Sequence, residues 1–267
     1  MRAYIIRRLL LIVPTLFILS ILVFLSVRFI PGDTIDAMLG KWEFLGGEVD
    51  REALEHMLGL DVPVHVQYGR WIGVLPTPDP YTGESHFKGL LQGTLGESLY
   101  RDFHVEDKIV ARLPVTIQLG IMSIVIGLVI ALPVGIYSAM RQDTAPDYAA
   151  RSFAIFGMAT PNFWLALMVM IFPAIWWGWS PPMEWVPFTE DPLGNLRGLI
   201  IPSVILGTAL SASTMRMTRT MMLEVLRQDY IRTAWSKGLR ERVVIIRHTI
   251  KNALIPVITL ILSLIHI

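Results

Sequence analysis

Apolar residues gather in five runs separated by polar segments, at 9–27, 115–140, 153–177, 199–217 and from 253 onward. The first run has 19 residues. As a helix it would rise about 28 Å, close to the thickness of the hydrocarbon core of a bilayer. Backbone polar groups inside a bilayer must satisfy one another, so the runs predict helices. We therefore expect an all-α, polytopic membrane protein, with spans at about 9–29, 106–140, 152–178, 199–219 and 253 onward.

The composition fits spans joined by substantial polar segments. Apolar residues make up 53% of the 267 positions and charged residues 17%, and the mean hydropathy is +0.54. The formal net charge of +1 gives no indication of nucleic acid binding. The chain has no cysteine, which excludes disulfides, thiolate metal sites and a cysteine nucleophile.

The first apolar run follows Arg2, Arg7 and Arg8, a layout that signal peptides share. The run is longer than a typical signal core, and no small-x-small cleavage site follows it. It is therefore interpreted as an uncleaved first span.

Charge predicts that the N-terminus is cytoplasmic. Residues 216–251 hold nine basic and three acidic residues, whereas residues 31–114 hold seven basic and fourteen acidic ones. An excess of Lys and Arg marks the cytoplasmic side. The predicted divisions are a first span at 1–30, an extracytoplasmic lobe at 31–105 and a permeation core at 106–267. Within the lobe, one helix is expected from Asp50 to Gly59 and another from Pro63 through Trp71.

Residues 220–252 are too polar to span a membrane and too regular for a loose loop. The stretch 221–237 has no Gly or Pro, Gly238 then breaks it, and 241–252 has the pattern of a second helix before Pro256 opens the next span. A helix–turn–helix elbow of this kind suits docking into a partner's groove. The alternative is a solvated basic loop that sets topology or touches anionic lipid.

Several stretches, in the expected order, resemble the permease subunits of ATP-binding-cassette (ABC) importers, in their dipeptide/oligopeptide version. They lie at 7–15, 30–33, 95–98, 112–116, 201–202, 216–219, 224–226, 229–234, 237–239, 247–248 and 252–256. The most specific is similar to the family's cytoplasmic EAA loop, with Gly238 at its glycine. The glutamate and first alanine of the general motif fall on Arg232 and Thr233. The ATPase-docking residues implied by this resemblance are Asp229, Tyr230, Ile231, Arg232, Thr233, Ala234, Lys237, Gly238 and Leu239.

The resemblance implies a type I importer permease fold with six spans, of which this chain would hold five, the last incomplete, as expected of a truncated chain. It also implies partners: a second permease subunit, one or two ABC ATPases and an extracytoplasmic solute-binding protein, all at the inner membrane of a prokaryote. The expected cargo is di- or oligopeptides, with nickel chelates, glutathione or oligosaccharides as alternatives.

The chain itself is not expected to be an enzyme. The sequence contains no G-x-x-x-x-G-K-[ST] phosphate loop, no H-E-x-x-H and no G-x-S-x-G. No catalytic residue, cofactor or metal ligand is therefore predicted, and ATP hydrolysis is assigned to the partners.

A polar path is one reading of the small hydroxyl residues on the fourth span, and close helix packing is the other. The candidate path residues are Thr208, Ser211, Ser213 and Thr214. A secondary transporter or a non-functional fragment is the competing class. Residues 115–140 and 153–177 contain no charged residue, whereas an ion-coupled carrier usually keeps an acidic residue in the membrane.

Overall fold

The computed structural model describes residues 2–28, 35, 51–79, 83–98, 103–182 and 184–265. The chain forms two compact units, Met1–Ala111 and Arg112–Ile267. Among the described residues, four helices are long and apolar enough to cross a membrane, and a fifth span results if one bent helix pair is counted. This confirms the predicted all-α, polytopic fold class.

The first unit begins with α1 (Arg2–Arg28), which is mostly apolar between its terminal arginines and has no buried residue. A helix of this kind is suited to a lipid environment. The smaller elements that follow are α2 (Arg51–Met57), α3 (Val64–Ile72), the antiparallel strands β1 (Thr77–Pro78) and β2 (Ser85–His86), and a 3₁₀ turn (Leu90–Gln92).

Both short helices of this unit were predicted, and both are confirmed. Pro63 precedes α3, and Gly73 ends that helix at φ 89°. Gly59 follows α2 at φ 62°, a conformation that glycine adopts without strain. The predicted cap, Asp50, lies outside the described residues.

Helix α3 packs against the end of α1. Ser20 Oγ lies 2.8 Å from Tyr68 Oη, and the rings of Phe24 and Tyr68 meet edge to face at 5.3 Å. Arg28 lies over the Phe24 ring and donates a hydrogen bond to Gln67. Helix α3 is therefore attached to α1 by aromatic and polar contacts together.

The second unit contains the long helices. Helix α4 (Val105–Met140) begins in the first unit and continues into the second. The elements after it are α5 (Ala145–Ala159), α6 (Asn162–Trp177), α7 (Pro192–Leu226), α8 (Asp229–Ser236), α9 (Glu241–Val243), a π-helix (Val244–Ile250) and α10 (Lys251–Ile265).

The third predicted span, 152–178, differs from the structure because it is divided into α5 and α6, which meet at 97°. The break falls at Thr160 and Pro161, and Thr160 is extended at ψ 119°. Proline removes a backbone donor and disfavours the helical conformation in the residue before it. Because this run is uniformly apolar, its composition predicted one continuous span and gave no indication of the break at Pro161.

Helices α4 and α7 approach each other closely along a line of small residues. A Cβ on Gly135 would lie 2.8 Å from the Met215 carbonyl oxygen, and a Cβ on Gly207 would lie 2.9 Å from the backbone carbonyl oxygen of Ser123. Buried Ala131 continues the same stripe on α4. Small residues bring helix backbones together in membranes, and van der Waals packing then holds them.

Gly135→Leu is therefore expected to destabilise the α4–α7 contact by about 1–3 kcal/mol, because the added side chain overpacks it. The apparent melting temperature of the purified protein in detergent should fall by roughly 2–12 °C. Gly120→Leu on the same helix is the matched control, since a Cβ there meets nothing within 4 Å. An equal fall in both variants would contradict a specific close approach at Gly135.

Candidate functional site: the elbow and the buried ion pair beside it

The elbow, residues 220–252, begins at the end of α7. That helix ends at Leu226, Gln228 is extended at ψ 147°, and α8 starts at Asp229. The sequence predicted no break within 221–237, so the helix is interrupted where no Gly or Pro requires it. The break turns α8 so that its apolar residues face the rest of the elbow.

The inner face of α8 forms a small core. Ile231 is fully buried and Ala234 nearly so, and both pack with the buried Val244 of the π-helix and the partly buried Val225 of α7. Ile231 and Ala234 are three positions apart and so share one side of the helix. Both were predicted to dock a partner, but here they hold the elbow together from inside.

The remaining predicted docking residues are exposed. They are Asp229, Tyr230, Arg232, Thr233, Lys237, Gly238 and Leu239. Trp235, which the prediction left out, is 43% exposed on the same segment. The outward surface thus mixes aromatic and apolar groups with basic ones.

The turn of the elbow depends on Gly238. Its φ is 73°, and its N–H donates to the Trp235 carbonyl oxygen at 2.9 Å. A Cβ on this residue would meet nothing within 4 Å. Glycine is therefore needed here for its left-handed backbone conformation and not for lack of space.

The second arm of the elbow, residues 241–252, is continuous with the final helix, α10. Residues Glu241–Ser263 form one helical stretch long enough to span, although separate segments at 241–252 and from 253 were predicted. Within this stretch, Thr249 Oγ1 donates to the Val244 carbonyl oxygen at 3.2 Å. Such π-helical turns occur often at functional positions.

A hydrogen bond closes the two arms against each other. Asn252 Nδ2 donates to Tyr230 Oη at 3.0 Å and to the His248 carbonyl oxygen at 2.9 Å. In an adjoining apolar cluster, Met222 of α7 is buried with Ala139, at the end of α4, and with Ala253 of α10. A push on the exposed face of the elbow would therefore reach three long helices through packed contacts.

A buried ion pair joins Asp147, near the start of α5, to Arg219 of α7, the residue just before the elbow begins. Asp147 is 0% exposed, and Arg219 donates to both of its oxygens, Nε at 2.7 Å and Nη2 at 2.8 Å. Ser138 Oγ donates to the same carboxylate at 2.5 Å and the Asp143 N–H at 3.0 Å. We call Asp147, Arg219 and Ser138 the clamp, since they join the end of α4, the start of α5 and α7.

Sequence reasoning missed the clamp. It counted Arg219 only as one basic residue of a positive segment and gave Asp147 no role. The two residues are 72 positions apart. The only signal is weak: an acidic residue at the start of one apolar run and an arginine at the end of another.

The four residues predicted to line a path lie on α7. Thr208 and Ser213 are half-buried, while Ser211 and Thr214 are fully buried. Thr208, Ser211 and Ser213 each donate to a carbonyl oxygen three residues earlier in their own helix, at 2.8, 2.7 and 3.1 Å. A path lined by these residues stays a prediction. In the part of the chain that the structure describes, no group of three potential metal ligands occurs.

Two family profiles together cover almost the whole chain. Residues 131–266 match the binding-protein-dependent transport system inner membrane component. Residues 1–120 match the N-terminal region of the corresponding membrane component. The chain belongs to this family.

Three relatives are 33–37% identical to this chain over the aligned residues. A putative peptide transport system permease protein of Brucella suis is 37% identical over 260 residues, 97% of this chain and 77% of the relative. The oligopeptide transport system permease protein AppB of Bacillus subtilis is 36% identical over 263 residues, 97% and 78%. The di/tripeptide transport system permease protein DppB of Pseudomonas aeruginosa is 33% identical over 279 residues, 97% and 78%.

The predicted family is thus confirmed, and with it the role of a multi-pass inner-membrane permease in a binding-protein-dependent importer. Membership in this family implies partnership with ATPase and substrate-binding proteins.

Proposed function

We propose that this permease moves di- or oligopeptides into the cytoplasm and that partner ATPases dock on the exposed face of the elbow. The observation that carries the docking role is the elbow's construction: Ile231 and Ala234 make it rigid from inside, while seven predicted docking residues face outward. The peptide cargo is supported by what the relatives are named for. Nickel chelates, glutathione and oligosaccharides are the alternatives within the same class of importer.

The proposed orientation places the N-terminus and the elbow in the cytoplasm and the lobe at 31–105 outside. The support is the excess of basic over acidic residues in 216–251 and the reverse in 31–114. This orientation brings the elbow to the side where ATP is available. ATP hydrolysis is assigned to the partners, and a second permease subunit, different from this one, is proposed to complete the pathway.

The chemistry of the exposed face suits a protein partner. Tyr230, Trp235 and Leu239 are 45%, 43% and 37% exposed, and the exposed basic residues Arg232 and Lys237 stand beside them. Binding hot spots are enriched in tyrosine, tryptophan and arginine, with polar residues around them. An amphipathic helix that presents such a face fits into a groove.

The elbow also offers a route for force. When two ATPases close on ATP, the docked elbows would move with them. The hydrogen bond between Tyr230 and Asn252 keeps the two arms together, and the cluster around Met222 connects them to α4 and α10. The long helices would then tilt as packed units, which is a rigid-body route from inward-open to outward-open states.

A pull-down in mild detergent tests this proposal. The tagged gene product, expressed with its neighbouring genes, should bring down a second permease and one or two ATPases identified by mass spectrometry. Trp235→Ala should reduce ATPase recovery about tenfold or more, the loss expected for an interface hot spot. Trp177→Ala, a 73% exposed tryptophan at the far end of α6, is the matched control and should leave recovery unchanged.

Recovery of a monomer or a homodimer without any ATPase would count against the proposal. Equal loss of ATPase in both tryptophan variants would place the docking surface elsewhere.

A further inference from the structure

A cavity of about 240 Å³ lies between α5 and α7, beside the clamp. Its lining includes three arginines, Arg151, Arg216 and Arg219, together with apolar side chains that include Ile155, Met158 and Met215. None of the described residues that line it is acidic. The cavity is therefore amphipathic, with three positive charges beside apolar side chains.

The arginines differ in how far their donors are used. Arg219 is committed to Asp147 through two hydrogen bonds. The Nε and Nη2 atoms of Arg151 are buried and have no hydrogen-bond partner, although Nη2 lies 3.4 Å from Asp147 and 3.7 Å from Asp143. Asp147 is thus shared between two guanidinium groups, and the exposed Asp143 is the second carboxylate beside Arg151. Buried donors without a partner are costly, so those of Arg151 call for an additional acceptor.

The third arginine, Arg216, adds an exposed charge to the lining. Arg216 lies one turn before Arg219 on α7 and is exposed. With Asp147 occupied by Arg219, the charge of Arg216 is not compensated within the cavity lining. Planar guanidinium groups bind phosphate oxygens through paired hydrogen bonds.

The apolar part of the lining continues along α5. Ile155 is 69% exposed and Met158 is 47% exposed. They follow Arg151 by one and two turns, so a strip of apolar surface runs away from the arginines along the helix. An elongated molecule with an anionic head and a hydrocarbon tail matches both parts of the lining, whereas a free phosphate would use only one.

We infer that this cavity binds an anionic phospholipid, with its phosphate against Arg151 and Arg216 and an acyl chain along Ile155 and Met158. Charge complementarity selects the headgroup, since basic pockets between membrane helices favour anionic lipids. The exposed apolar strip favours a lipid over a peptide carboxylate. The binding itself does not depend on the proposed orientation and function. The proposed orientation would in addition place this lipid in the cytoplasmic leaflet.

Native mass spectrometry of the purified protein, with whatever subunits accompany it, tests the inference. The probes are phosphatidylglycerol and phosphatidylcholine with the same acyl chains. The unmodified protein should retain phosphatidylglycerol in preference to phosphatidylcholine. Arg216→Gln should weaken that retention about tenfold, as the loss of one charge-assisted contact predicts, and Arg151→Gln should act similarly.

Arg227→Gln is the matched control. Arg227 lies on the exposed surface at the end of α7 and lines a different cavity, so this variant should retain phosphatidylglycerol as the unmodified protein does. Equal retention of the two lipids, or equal loss in Arg216→Gln and Arg227→Gln, would overturn the inference. Stoichiometric displacement of phosphatidylglycerol by a peptide with a free C-terminus would also overturn it and would assign the arginines to cargo.

The measurement needs neither nucleotide nor transport. A pull-down without ATPase would therefore contradict the docking proposal and leave the lipid result unaffected. Equal retention of the two lipids would contradict the lipid inference and leave the docking proposal unaffected.

Discussion

Asp147→Asn is expected to destabilise the protein by about 3–5 kcal/mol, because it leaves the largely buried Arg219 guanidinium without its counter-charge. Arg219 has a side-chain exposure of 17% and Asp147 of 0%, so water can replace little of the lost interaction. The apparent melting temperature in detergent, measured by the loss of monodisperse protein, should fall strongly.

A double variant separates the ion pair from its surroundings. Arg219→Gln alone should also be strongly destabilising, since it leaves the buried carboxylate with fewer donors. Asp147→Asn combined with Arg219→Gln removes both charges and should recover a large part of the loss, because a neutral pair has no uncompensated charge to bury. If the effects of the two single variants simply add in the double variant, the pair does not act as a unit.

Asp143→Asn is the matched control. Asp143 lies in the same turn, has a side-chain exposure of 63% and is 3.7 Å from Arg151. Exposed ion pairs contribute little, and asparagine tolerates the φ of 59° that Asp143 adopts. A change within about 0.5 kcal/mol is expected. A loss as large as that of Asp147→Asn would contradict the special role of the clamp.

The clamp also bears on transport. It fastens the start of α5 and the end of α4 to α7 close to the elbow, so movement of the elbow would reach all three helices together. At a temperature where Asp147→Asn is still folded, we expect ATP hydrolysis by the assembled importer to continue while uptake into proteoliposomes falls. Uptake that falls only in proportion to the amount of folded protein would leave the clamp a purely structural role.

The membrane spans were predictable from the sequence because bilayer thickness sets the length of an apolar run. The apolar stretches at 9–27 and 115–140 were long enough to show this. Gly238 was predictable for a similar reason: a glycine within a polar helical pattern commonly marks a left-handed turn, and its φ of 73° confirms it. These features depend on local chemistry.

The features that sequence reasoning missed depend on contacts between distant residues. The break at Gln228 separates two stretches of good helix formers, and packing of Ile231 and Ala234 against Val244 accompanies it. Tertiary contacts regularly override helix propensity in this way. The pairing of Asp147 with Arg219 likewise connects positions that a single sequence gives no reason to associate.

Gly238→Pro is expected to abolish coupling between ATP hydrolysis and uptake while leaving membrane insertion intact. Proline fixes φ near −65° and has no N–H. It therefore opposes the observed φ of 73° and removes the hydrogen bond to the Trp235 carbonyl oxygen. Because Gly238 is exposed and makes no core contact, the loss should be confined to the end of α8 and the face beside it.

A graded series at this position tests the backbone explanation. Asparagine enters the left-handed region readily, so Gly238→Asn should keep most of the uptake. Gly238→Val adds a β-branched residue there at a cost of about 1–3 kcal/mol and should reduce uptake about tenfold or more. A Cβ at this position would meet nothing within 4 Å, so a ranking of the variants by side-chain size instead of by backbone preference would contradict the explanation.

Gly178→Val is the control for strain without docking. Gly178 ends α6 at φ 63°, and a Cβ there also meets nothing within 4 Å. The free-energy cost of backbone strain should match that of Gly238→Val. Gly178, however, lies on the proposed outer side and far along the chain from the elbow. Uptake and ATP hydrolysis in proteoliposomes, normalised to the amount of inserted protein, should change only in the Gly238 variants. Normal uptake by Gly238→Pro would remove the elbow from the mechanism, because a distorted elbow cannot both transmit the force of the ATPases and leave transport unaltered.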